Sequence, residues 1–387
     1  MTDGPPPAGP PQPHGRLREV TALFAQLGMI GFGGPMAHIA LMEREAIERR
    51  RWISRERFLD GLAATNLVPG PNSTEMGIHL GYVRAGTAGA IASGVAFILP
   101  AFLLMLLLSW LYFRYQTAPA VDDLFYGIKP AVIALIVVTS YRLFLGAVDD
   151  WRTRLLFAGS GALAYFFAGA EVFVLLAAGG LGLAWYGPRW RAGGGALAIG
   201  ALAGAVPALV WEPGALVDVT LLCLRTGALL FGGGYVMIPL MEHEVVETFG
   251  WMTDEQFLDG VALGQTTPGP IVITATFVGY AAAGLPGAAL ATVAIFLPSF
   301  VFAVLTARFL EVLAASQLAR AVLKGIGAAV VGTILAATAR VGESAFVDGW
   351  TAAIGVVALV ALLRWRVHSA VLIGAAALAG LAIGGIR

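Results

Sequence analysis

Cysteine is almost absent: the 387 residues contain one, Cys223. A single thiol excludes a disulfide framework, a cysteine-ligated zinc site and an iron–sulfur centre within one chain. Histidine is sparse as well, with 5 scattered residues that offer little to hold a redox cofactor or a metal. Lysine occurs twice, as Lys129 and Lys324, among 24 basic residues. Charge of either sign is scarce, at 12% of residues, about half the usual share of soluble domains. The 24 basic and 24 acidic side chains cancel, so there is no basic surface for nucleic acid. A soluble chain of this length needs more polar surface to cover its core. A soluble enzyme and a disordered scaffold are therefore excluded.

Apolar residues are abundant instead. They make up 58% of the chain, glycine adds 50 positions, and mean hydropathy is +0.81. This composition is that of an all-α polytopic membrane protein, which needs ~20 apolar residues per crossing and so has room for roughly 10 to 13 of them. Residues 1–15 hold six prolines and read as a solvated, polyproline-like tail rather than a signal peptide.

The membrane part is duplicated. Phe32-Gly33-Gly34 returns as Phe231-Gly232-Gly233, Phe58-Leu59-Asp60-Gly61 as Phe257-Leu258-Asp259-Gly260, and Pro69-Gly70-Pro71 as Pro268-Gly269-Pro270. Gly81-Tyr82 matches Gly279-Tyr280, Leu99-Pro100 matches Leu297-Pro298, and Gly127-Ile128 matches Gly325-Ile326. The organisation expected is a tail at 1–15, a first repeat at 16–192, a linking membrane segment at 193–214 and a second repeat at 215–387. Paired repeats with interrupted apolar segments are a transporter architecture.

The repeats are expected to be inverted. Loop 43–57 carries Arg44, Arg49, Arg50, Arg51, Arg55 and Arg57, whereas loop 242–256 has no Lys or Arg and five acidic residues. By the positive-inside rule the arginine loop is cytoplasmic and its counterpart lies on the other face. Apolar segments place spans at 17–41, 58–81, 86–113, 122–145, 155–169, 171–187 and 195–211, then at 215–241, 257–280, 285–309, 321–339, 350–363 and 369–386. Segments 155–169 and 171–187 are short enough to be one helix or a hairpin. Arg16 and Arg18 conflict with a simple first span. A broken or re-entrant first segment removes the conflict.

Two motifs interrupt apolar runs. Gly31-Phe32-Gly33-Gly34-Pro35 and Phe231-Gly232-Gly233-Gly234 are not nucleotide loops, because no Lys-Ser/Thr follows and no strand precedes them. They read either as close helix packing or as unwound backbone lining a cavity. The second motif runs Asn66 to Glu75 around Pro69-Gly70-Pro71, and Gln265-Thr266-Thr267 precedes Pro268-Gly269-Pro270. Two prolines around a glycine break a helix, and the second starts a new one. A helix start within the membrane offers free N–H groups to an anion, with Asn66, Asn72, Ser73, Gln265, Thr266 and Thr267 beside it. The alternative is a structural kink. Candidate substrate ligands are thus Gly33, Gly34, Gly70, Gly232, Gly233 and Gly269 with these polar side chains.

Glu75 and His79 are four residues apart on one helix face and are a candidate proton-coupling pair, since ionisable groups at membrane depth are functional by default. A carboxylate favoured by a helix start is the other reading of Glu75. His38 reads as a packed or interfacial histidine rather than a ligand. Arg225 reads as a snorkelling or anion-neutralising side chain. Lys129 and Lys324 flank the same repeated Gly-Ile and are either point charges for an oxyanion or snorkelling anchors.

Phe32-Gly33-Gly34-Pro35, the Phe231 to Tyr235 run with Ile238-Pro239, and the paired Pro-Gly-Pro segments resemble the chromate ion transporter family, in its long two-domain form. The resemblance covers nearly the whole membrane part. It implies export of chromate across the bacterial inner membrane, with sulfate as a structural analogue, and chromate resistance for some members. No cofactor or metal is expected. The partners expected are the oxyanion, the bilayer and, in a homodimer, a second copy of the chain. Transport of another small anion and a membrane-embedded chromate reductase are the competing functions.

Overall fold

A computed structural model describes residues 13–32, 34–66, 68–187, 214–231, 233–308, 316–365 and 367–385. Gly33, Gly232 and most of the expected linking segment 193–214 lie outside them. Among the described residues all regular structure is helical.

The first repeat opens with two helix pairs that dip and return. α1 (Pro13–Ile30) stops at Gly31, Gly34 takes a positive φ of 79°, and α2 (Pro35–Glu43) starts on a proline. It continues through a π-helical turn, Arg44–Arg49. Near the start of α1, Glu19 accepts from Arg84 Nη2 (2.7 Å), Trp52 Nε1 (3.1 Å) and Arg50 Nη1 (3.4 Å). The start of α1 and the end of the returning arm are thus tied together at one end of the molecule. α3 (Arg55–Thr65) begins at Ser54, whose hydroxyl accepts the Arg57 N–H. It ends at the Pro-Gly-Pro break and is followed by α4 (Asn72–Tyr115).

α4 is itself two arms. Ala85 and Gly86 leave helical geometry, Gly86 at φ 65°, and the chain reverses there. A Cβ on Gly81 would stand 2.3 Å from the Gly89 carbonyl, and one on Gly89 2.2 Å from the Gly81 carbonyl. Only glycine at both positions lets the arms close this tightly. The segments 17–41 and 58–81, expected as single crossings, are each broken into two arms that turn back on themselves. Arg16 and Arg18 share an end with the arginine loop, which resolves their conflict with the first span.

α5 (Pro119–Ala147) follows, then α6 (Trp151–Phe166) and α7 (Glu171–Tyr186). The last two form a hairpin whose ends meet where Tyr186 donates to Asp150 at 2.7 Å. Segments 155–169 and 171–187 are accordingly two helices.

The second repeat retraces this path. α8 (Ala215–Ala228) precedes a glycine break. α9 (Met237–His243) returns through a π-helical turn, Glu244–Thr248. α10 (Asp254–Thr266) carries a capping box between Thr253 and Gln256. α11 (Thr274–Arg308) reverses at Ala283 and Gly284, with Gly279 and Gly287 in the places of Gly81 and Gly89. α12 (Gln317–Gly342), α13 (Gly349–Val360) and α14 (Ser369–Gly384) complete it. Among the described residues, four helical stretches are long and apolar enough to cross a membrane: Asn72–Tyr115, Pro119–Ala147, Ile271–Thr306 and Gln317–Gly342.

The repeats exchange their terminal hairpins. α6 and α7 pack on α12, and α13 and α14 pack on α5. The contacts explain the repeated Gly-Ile: a Cβ on Gly127 would stand 2.0 Å from the Ala376 carbonyl, and one on Gly325 2.1 Å from that of Ala178. α4 packs against α11 at the centre, which brings the four helix breaks together.

Candidate functional site

Two backbone hydrogen bonds build the centre. The Gly70 N–H donates to the Leu230 carbonyl at 2.9 Å, and the Gly269 N–H donates to the Gly31 carbonyl at 2.8 Å. These contacts are equivalent under the repeat: each Pro-Gly-Pro break of one half is bound to the residue that opens the glycine break of the other. Left-handed φ at Gly34 (79°), Gly70 (150°), Gly233 (123°) and Gly269 (104°) lets the backbone turn there without a Cβ penalty.

Histidine braces the joint. His38 is buried; its Nε2 donates to the Gly31 carbonyl at 2.8 Å, and Nδ1 lies 3.2 Å from the Ser73 hydroxyl. One ring thus links the two broken segments of the first repeat, as a packed histidine does.

The two halves differ in polarity. Gly70 is packed by Glu75 and by Ser299 of α11, since a Cβ there would stand 2.7 Å from the Ser299 hydroxyl. The corresponding contact of Gly269 is to Ala101. Both Glu75 oxygens and the hydroxyls of Ser299 and Thr74 are buried without hydrogen-bond partners. His79, one turn on, packs against Gly61 of α3 and leaves Nδ1 unpartnered.

The chain carries this arrangement twice, and so does its similarity to known proteins. A family model described as Chromate transporter matches residues 18–183 and again 217–381. The chain belongs to the chromate transporter family. It is 35% identical over 373 residues to a chromate transport protein of Cupriavidus metallidurans, covering 94% of this chain and 92% of the relative. It is 39% identical over 348 residues to a chromate transport protein of Pseudomonas aeruginosa, covering 86% and 81%. The uncharacterized transporter YwrB of Bacillus subtilis aligns over 142 residues at 32% identity, covering 36% of this chain and 72% of its own. No solved structure matches the chain. This is a multi-pass membrane transport protein and not an enzyme.

The residues singled out by sequence have unequal fates in this chromate transporter family member. Asn66, Asn72, Ser73, Gln265, Thr266 and Thr267 all flank the joined breaks. The Asn72 amide donates to Asn66, and Ser73 meets His38. Thr266 and Thr267 donate to the carbonyls of Leu263 (2.8 Å) and Gly264 (2.9 Å) within their own helix. Gln265 is buried; its carbonyl oxygen accepts from the Tyr235 hydroxyl at 3.2 Å, and its amide nitrogen has no partner. Among the buried side chains of this set, its amide donor is left over.

The lysines are not brought together, and neither sits at the breaks. Lys324 donates to Asp149 at 2.8 Å, lies 3.3 Å from Asp150 and stands over the Tyr186 ring at 4.5 Å. Asp150 caps α6, and its carboxyl is held well below the ordinary carboxylate range by the Thr153 N–H and then by the Tyr186 hydroxyl. These contacts tie Lys324 of α12 to the start of the exchanged hairpin. Lys129 lies 3.5 Å from Glu255 and 3.8 Å from Asp259. Asp259 precedes Thr267 by eight residues of helix, about 12 Å. Arg225 is paired with Glu244.

Sequence reasoning missed Ser299 and the partnership of Asp259 with Tyr112, which donates to it at 2.8 Å. The signal for Asp259 was present: an acid repeated within an apolar helix in Phe-Leu-Asp-Gly. Its repeat mate Asp60 is exposed.

Proposed function

We propose that the protein is a secondary transporter that exports chromate, or a similar tetrahedral oxyanion such as sulfate, across the bacterial inner membrane. The observation that carries this is the reciprocal pair of hydrogen bonds joining Gly70 to Leu230 and Gly269 to Gly31. Irregular backbone at membrane depth is tolerated where it lines a protein site. Here four breaks from two repeats share one locus, with helix starts that offer N–H groups to an anion. Its proposed ligands among the described residues are the backbone at Gly34, Gly70, Gly233 and Gly269, with the Gln265 amide as a side-chain donor. The printed names of the Cupriavidus and Pseudomonas relatives supply the substrate.

Charge supports the direction. With the inside negative, a charge leaving the cell gains ~2.3 kcal/mol per 100 mV, and a dianion roughly twice that. Glu75 and His79 are the proton-coupling pair, supported by the unpartnered Glu75 carboxyl packed against Gly70.

The repeats are inverted in this mechanism. Two pairs of contacts support it. Tyr126, early in α5, donates to Asp348 beyond the end of α12 at 2.7 Å, and Lys324, early in α12, meets Asp149 beyond the end of α5. Equivalent helices paired start to end run antiparallel, so the axis relating them lies across them. In addition, Arg84 and Glu19 lie at one end of the α4 long arm, whereas Gln116 at the other end accepts from Gln256 at 3.0 Å. The arms are roughly 40 Å long at the helical rise, which supports opposite faces for the arginine and acidic loops.

Chromate flux into and out of proteoliposomes tests the function. Gln265→Ala removes one donor worth ~1.5–3 kcal/mol to an ion, so apparent chromate affinity should weaken about tenfold or more. No flux above empty vesicles rejects chromate as the substrate. Undiminished affinity in a folded Gln265→Ala variant rejects this locus as the site.

A further inference from the structure

A cavity of about 350 Å³ lies between the first-repeat helices α4 and α5 and the second-repeat helix α10, bordered by residues 344–351. Its lining is unlike an anion site: Asp122, Glu255 and Asp259 face a single cation, Lys129. One of these acids is in an unusual state. Asp259 is 4% exposed; Oδ2 accepts from Tyr112 at 2.8 Å, while Oδ1 accepts no hydrogen bond and lies 3.8 Å from the Lys129 ammonium. Lys129 is held by no short contact, since its other partner, Glu255, is 3.5 Å away.

Resting on the transport function above, we propose that this cavity is a vestibule of the anion path and that Asp259 is its proton switch, which binds Lys129 when ionised and releases it to an oxyanion when protonated. The proton comes from the open side of the cavity and goes to the Asp259 carboxyl; no other bond changes. The ammonium, no longer compensated by that carboxylate, becomes a point charge for a dianion. By linkage, the oxyanion then favours proton binding as much as the proton favours the oxyanion.

The surroundings suit a switch. Burial favours the neutral acid and the lysine favours the carboxylate, so a modest change decides between them. The titratable groups facing Asp259 are Lys129, Asp122 and Tyr126 from α5, Glu255 from α10 itself and Tyr112 from α4. The 344–351 stretch adds Ser344 and Thr351, and its Asp348 accepts from Tyr126. α11 brings the Phe277 ring against Tyr112, and α14 carries no ionisable side chain. The device belongs to one half only: Asp60, the repeat mate of Asp259, is exposed, and the position matching Lys129 is Gly327.

The scarcity of lysine makes the test direct. The full-length protein in liposomes is treated with an amine-reactive reagent from acid to alkaline pH. Mass spectrometry then gives the ratio of Lys129 to Lys324 modification, Lys324 serving as the internal reference. In the wild type the ratio should rise on acidification. Asp259→Asn should raise it severalfold at neutral pH and remove its pH dependence. Tyr112→Phe, which takes a donor from the carboxylate, should move the transition to higher pH and reports the switch even if Asp259→Asn folds poorly. Chromate should protect Lys129 at neutral pH in Asp259→Asn, and in the wild type only at low pH. An Asp259→Asn ratio that follows the wild-type curve overturns the switch. A switching ratio with no protection by chromate, in protein that does transport chromate, overturns the vestibule. A wild type that transports no chromate rejects the function while the labelling ratio still reports on Asp259.

Discussion

At Glu75 a carboxyl group is enclosed by Gly70 and Ser299, with no donor to either oxygen. The repeat mate of Ser299 is Ala101, so the first-repeat break is polar where the second is not. Two roles for Glu75 make different demands on it. A carboxylate that only favours the helix start contributes about 0.3–1 kcal/mol by its charge, and Gln would lose that. A proton carrier needs the titration itself. Glu75→Gln is expected to fold with near-unchanged thermal stability and to exchange chromate between equal solutions, but to carry no protons with it. A pH-sensitive dye inside proteoliposomes reads this. Proton movement persisting in the variant would assign coupling to another group. His38 is the structural counterpart at this scale, because its two ring nitrogens are occupied by Gly31 and Ser73.

Helices here are shaped by where glycine and proline interrupt them. Proline starts α2, and Pro71 and Pro270 precede the helices that leave the second break. Glycine pairs close the reversals at 81/89 and 279/287. Glycine also sets the exchange of hairpins. At Gly127 and Gly325 the partner helix comes so near that a methyl group would overlap a carbonyl oxygen. Gly127→Leu and Gly325→Leu should each lower stability by more than the ~1–3 kcal/mol usual for overpacking, because backbone rather than a side chain must yield. Gly374→Leu, on α14 with open space around the position, should be nearly neutral. Thermal melts in detergent compare the three. Equal melting temperatures would mean that the exchanged hairpins do not depend on these contacts.

On the scale of the whole molecule, two repeats form one body through contacts that neither could make alone. Each break is completed by the other half, and α5 and α12 are each covered by the other half's hairpin. The proposed inversion has a simple consequence for labelling. The native Cys223 is buried and silent to thiol reagents. Arg51→Cys and Glu247→Cys, both at exposed positions, should behave oppositely in intact cells. With the arginine loop cytoplasmic, Glu247→Cys reacts with an impermeant maleimide from outside, and Arg51→Cys reacts only after permeabilisation. Equal reactivity of the two would exclude opposite faces.

Composition alone determined that this chain lives in a membrane, because too few polar residues remain to cover a soluble core. Recurring Gly, Pro and acidic identities determined the duplication, and the prolines and glycines marked both breaks, since these residues act on their own backbone wherever they stand. The family was legible for the same reason. What the breaks do was decided by tertiary structure. Apolar runs at 17–41 and 58–81 have the length and hydropathy of crossings, and only the contacts of Glu19 with Arg50 and Arg84 reveal that the chain turns back. The lysines illustrate the limit most directly. Their rarity and equivalent placement were visible, but Lys129 meets an acid 126 residues away and Lys324 one 175 residues away. The role of a charge at membrane depth depends on the charge opposite it, and that partner is chosen by the packing of distant helices rather than by neighbours in the chain.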